Sequence, residues 1–76
     1  MTDAQRRMAV SLSLCTFVPG IPTKRFARDM AFAAVHSPDV QLTEKQDKYL
    51  REAVIKFRRQ IPADVVALAV IAKAAA

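Results

Sequence analysis

The stretch Leu42–Ile61, LTEKQDKYLREAVIKFRRQI, constrains the fold more than any other part of the chain. Thr43 followed by Gln46 fits a capping box, in which each side chain covers a backbone N–H left bare at a helix start. Glu44 and Asp47 fall in the first turn and Arg58 and Arg59 in the last, both favourable to the helix dipole. Pro62 then prevents simple continuation. Between these limits Tyr49, Leu50, Ala53, Val54, Phe57 and Ile61 recur at three- and four-residue steps, which at about 100° per residue make one stripe. The opposite arc holds Lys45, Lys48, Arg51, Glu52, Ile55, Lys56, Arg58 and Arg59. The pattern predicts an amphipathic helix over about 43–60.

The flanking segments read as further helices. Thr2 or Asp3 can cap a first helix over about 3–16, with Ala4, Met8, Leu12 and Cys15 on its apolar face and Val10, Leu14 and Phe17 alongside. Pro19-Gly20-Ile21-Pro22 ends it, since two prolines and a glycine do not continue a helix. Thr23 can cap a second helix over about 23–35, with Phe26, Met30, Ala33 and Ala34 as its core stripe and Asp29 spaced to pair with Arg25. His36-Ser37-Pro38-Asp39 is a turn, because Pro38 disfavours the α conformation at Ser37. Pro62 suits the first position of a fourth helix over about 62–74. That helix is apolar almost all round, and such a helix is expected to be buried in the core or against a second subunit.

Length and composition fit this picture. Seventy-six residues make one domain, near the lower size at which a single apolar core suffices. An apolar content of 53% with one glycine argues for packed helices over disorder. The expected fold is all-α, a compact four-helix domain. Small domains without disulfides or metals often gain stability by oligomerising, which makes homodimerisation through the fourth helix an open expectation.

Enzyme signatures are absent from the sequence. One His and one Cys cannot assemble a structural zinc site, which needs about four ligands. Gly20 is the only glycine, so no phosphate-cradling loop exists, and no cofactor is expected. Cys15 and His36 as a nucleophile–base pair is the weaker reading, since Cys15 lies on an apolar stripe and His36 in a helix-ending turn. The lone cysteine precludes an intrachain disulfide and is consistent with a reducing compartment. Arg6 and Arg7 precede an apolar run, but Ser11, Ser13 and Thr16 interrupt it and no A-x-A site follows, so no secretory signal is expected. The run Val65–Ala72 is too short to span a bilayer.

The basic residues are the informative set. A net charge of +5 and an isoelectric point near 10.0 favour acidic or phosphate-rich partners. Lys45, Lys48, Arg51, Lys56, Arg58 and Arg59 make one positive face, and Lys24, Arg25 and Arg28 a second; either can neutralise phosphates of DNA or RNA or remain a solvated surface. A helix-turn-helix does not fit: the His36–Leu42 connection is longer than that motif's three or four residues. Ile55 within the third helix's charged arc and Phe32 on the basic side of the second are candidate anchors, apolar residues ringed by arginines as at protein–protein hot spots.

The runs L-T-x-K-Q-x-x-Y-L and K-F-R-R-Q-I within Leu42–Ile61 resemble a segment of short helical proteins carried by bacteriophages and prophages. The likeness covers roughly a quarter of the chain and carries no catalytic residue. It implies a setting, a small accessory protein in bacterial cytoplasm that binds a host protein or nucleoprotein complex, including nucleic-acid-guided defence machinery, as a regulator or inhibitor.

Overall fold

A computed structural model describes residues 1–37 and 39–75, with side chains through Ile71. Pro38, read above as a turn-former, lies outside them. Four α-helices follow in order, α1 (Asp3–Ser13), α2 (Pro22–His36), α3 (Glu44–Lys56) and α4 (Ala63–Ala75), with a 3₁₀ turn η1 (Arg58–Gln60) between the last two. No strand occurs among the described residues, so the fold is all-α. The Cα radius of gyration, 11.2 Å, matches the value of about 11 Å for a packed chain of this length.

Local chemistry sets each boundary. Thr2 and Thr43 both close full capping boxes, with Gln5 and Gln46 returning the bond to the cap backbone. α1 ends at Ser13, three residues short of expectation. Ser13 donates its hydroxyl to the Val10 carbonyl at 2.6 Å, and Leu14 and Cys15 close tight bonds to Ser11 and Leu12. Val18-Pro19-Gly20-Ile21 then forms a turn with proline second and glycine third at φ +87°, where a side chain would be strained. Thr23 does not cap α2. Ile21 is the N-cap and Pro22 opens the helix, while the Thr23 hydroxyl is buried against Tyr49 Oη at 3.1 Å.

α3 also ends early, at Lys56. Pro62 holds Ile61 extended (φ −119°, ψ 139°), and the three residues before it tighten into η1. Gln60 fixes this turn to the end of α1: its carboxamide accepts from Thr16 N at 2.7 Å and donates to Thr16 O at 3.1 Å. Phe17 and Phe57 meet edge-to-face beside it at 4.8 Å.

α1 packs against all three other helices. Its Met8, Ala9 and Leu12 meet Ala27, Met30 and Ala34 of α2, Leu50, Ala53 and Val54 of α3, and Val65 and Ala69 of α4 in one core. Two expectations about faces are corrected, and the two-way expectation for α4 is narrowed. Val10 and Leu14 are exposed, because the buried arc of α1 runs through Ala9 instead. Tyr49 lies at the rim of the stripe, 40% exposed, with its ring on Phe26. α4 buries only one side: Val70 is 49% and Ile71 66% exposed. No helix of the described residues is long and apolar enough to cross a membrane.

Candidate nucleic-acid interface

The ion pairs among the described residues draw charge away from α1 and α4. Arg6 pairs with Asp3 and Arg7 with Asp64, joining the first and fourth helices. Arg51 pairs with Asp47 at 3.0 Å, and the other oxygen of Asp47 accepts from the Gln5 carboxamide at 2.9 Å, tying α3 to α1. Three of the seven carboxylates are thereby committed. Nine of the twelve lysines and arginines lie between residues 22 and 60, against five acids. The positive charge therefore belongs to α2, α3 and η1.

Eight cations on these elements are exposed and outside those ion pairs: Lys24, Arg25, Arg28, Lys45, Lys48, Lys56, Arg58 and Arg59. Their placement follows from packing. On α3, Leu50, Ala53 and Val54 face inward, so Lys45, Lys48 and Lys56 face out. Because α3 stops at Lys56, Arg58 and Arg59 belong to η1 and do not extend its ridge. Lys56, Arg58 and Arg59 nevertheless line one shallow depression, where the Lys56 ammonium lies 5.8 Å from the Phe57 ring centroid and the Arg58 guanidinium donates to the Ile55 carbonyl at 3.4 Å. Lys24, Arg25, Arg28 and Asp29 line a second depression at the start of α2 with Gly20 and Pro22. A third, between α2 and α3, is lined by Thr23, Tyr49, Glu52, Ala53 and Lys56. The Thr23–Tyr49 hydrogen bond and the Phe26–Tyr49 ring contact fix α2 beside α3 at this point.

Two of the expected contact residues are placed differently. Ile55 is half-buried and packs against the core, so it does not protrude as an anchor. Arg51 is half-buried in its pair with Asp47, where it serves the α1–α3 contact. The expected Arg25–Asp29 pair is not among the ion pairs of the described residues; both side chains are solvated. Phe32 is 64% exposed, its ring 4.3 Å from that of His36 at an interplanar angle of 36°. Their i, i+4 spacing was the sequence signal for that contact. The Thr23–Tyr49 link had none, since it joins residues 26 positions apart.

Cys15 and His36 engage different neighbours. Burial pushes the Cys15 thiol above its ordinary pKa, and its sulfur contacts the Ser11 carbonyl at 3.6 Å. A protonated, buried thiol is a poor nucleophile. No grouping of three potential metal ligands occurs among the described residues. No protein-family model, curated protein or solved structure matches the chain.

Proposed function

We propose that the protein is a small non-enzymatic binding module, of the phage accessory kind, that docks on a host nucleoprotein complex by holding its phosphates with the lysines and arginines of α2, α3 and η1. One observation carries this reading: among the described residues the exposed cations outside ion pairs lie on those three elements, while Arg6 and Arg7 of α1 are paired with Asp3 and with Asp64 of α4. Lysine and arginine bind backbone phosphate without regard to sequence and release its counterions. The same surface serves free DNA or RNA. Of the two candidate protein-contact anchors on these helices, Ile55 is packed inward and only Phe32 is exposed, which leaves α3 with cations alone for contact.

Capture from a bacterial lysate tests this. Binding should fall on nuclease treatment and on the double charge reversal K48E/K56E, two exposed positions outside the core. Capture unchanged by both would reject the surface. A second reading, a homodimer joined through α4, draws on the exposed Val70 and Ile71 of an otherwise apolar helix. Sedimentation at high micromolar concentration should then give the mass of two chains; a monomer rejects it.

A further inference from the structure

We infer that the outward ridge of α2 is a contact surface for single-stranded nucleic acid, with Arg25 and Arg28 on phosphates and the Phe32–His36 ring pair on bases; this rests on the nucleic-acid reading above. Arg25, Arg28, Phe32 and His36 follow one another at three- and four-residue steps, so they share one side of the helix. The opposite side is fixed by Ala27, Met30 and Ala34, all buried. The ridge therefore faces solvent along its length, and all four side chains are exposed.

Its chemistry is that of a single-strand platform. Cations alone would serve a duplex or a strand equally, because both present phosphates. Exposed aromatic faces serve only unpaired bases, since bases within a duplex already stack on one another. A lone exposed phenylalanine is commonplace. Phe32 differs in two respects: its ring is held against His36, and it lies about one turn from Arg28 and about two from Arg25. α2 carries one carboxylate, Asp29, against Lys24, Arg25 and Arg28, so the ridge is electrostatically suited to a polyanion. An acidic protein would satisfy the cations without using the two ring faces as a stacking platform. A strand with splayed bases uses both.

The test compares a labelled mixed-sequence single strand with its duplex by fluorescence anisotropy across a salt series, using the full chain. The single strand should bind more tightly. F32A should weaken single-strand binding about fivefold or more, the loss of one stacked base, while leaving the salt slope unchanged. F32Y, which keeps the aromatic face, should restore it. R25A/R28A should instead lower the single-strand salt slope by about 1.4, two phosphates at about 0.7 each. Equal or tighter duplex binding, with F32A indistinguishable from the parent, overturns the inference and leaves phosphate contact standing. Binding of neither at low salt overturns both.

Discussion

Leu50 and Val54 have no exposed surface, and both sit where α3 meets α1 and α4. A chain of this length has a total stability of roughly 4–11 kcal/mol. Truncating a fully buried leucine to alanine removes about 2–5 kcal/mol. Leu50→Ala should therefore lower the urea midpoint sharply and leave a visible unfolded fraction in water, read by far-ultraviolet circular dichroism. Cys15 gives a pH dependence. Its pKa is raised by burial, so its contribution is whole below the ordinary thiol pKa and is lost as pH rises through the higher folded value. Unfolding free energy measured from pH 7 to 10 should fall less steeply in Cys15→Ala than in the parent. At this scale the sequence revealed inward residues better than outward ones. The stripe through Leu50, Ala53 and Val54 was readable from spacing, because burial of a helix face is periodic. Ile55 and Arg51 were not, because spacing says which arc a side chain occupies and not whether α1 or α4 reaches over it.

The starts of α1 and α3 were written locally and the end of α3 was not. The capping boxes at Thr2 and Thr43 use residues three positions apart, within reach of any reading of the chain. Thr43→Ala should cost about 1 kcal/mol in urea unfolding, with the slope against denaturant unchanged. An effect below about 0.3 kcal/mol would mean the box contributes nothing to α3. The end of α3 depends instead on Gln60 reaching Thr16, 44 residues away, and on Phe57 against Phe17. These contacts favour a 3₁₀ turn over a last α-helical turn, and they move Arg58 and Arg59 off the α3 ridge. The same logic separates Thr23 from Thr43. Both precede a helix in the sequence, but Thr23 falls one residue inside α2, behind Pro22, and its hydroxyl is drawn to Tyr49.

At the level of the whole molecule, α1 is the hub and charge is divided around it. Its Arg7 reaches Asp64 of α4, its Gln5 reaches Asp47 of α3, and the amino group of Met1 donates to the Val40 carbonyl in the loop before α3. These ties use up acids on one part of the surface and leave exposed cations on α2, α3 and η1. The four-helix architecture was legible because prolines and caps punctuate the chain at intervals of one helix. The division of charge was not, since it depends on which acids meet arginines across the fold. Its consequence is direct: phosphate binding should release counterions in proportion to the phosphates neutralised.

The salt dependence of binding to mixed-sequence DNA and RNA measures this most directly. Log affinity should fall linearly with log salt, with a slope of about −0.7 to −0.9 per phosphate held, and the slope should shrink by about that amount for each of Lys48, Lys56 and Arg59 replaced by alanine. Absence of binding at low salt, or a slope indifferent to those three replacements, would contradict a phosphate-binding role for the basic surface.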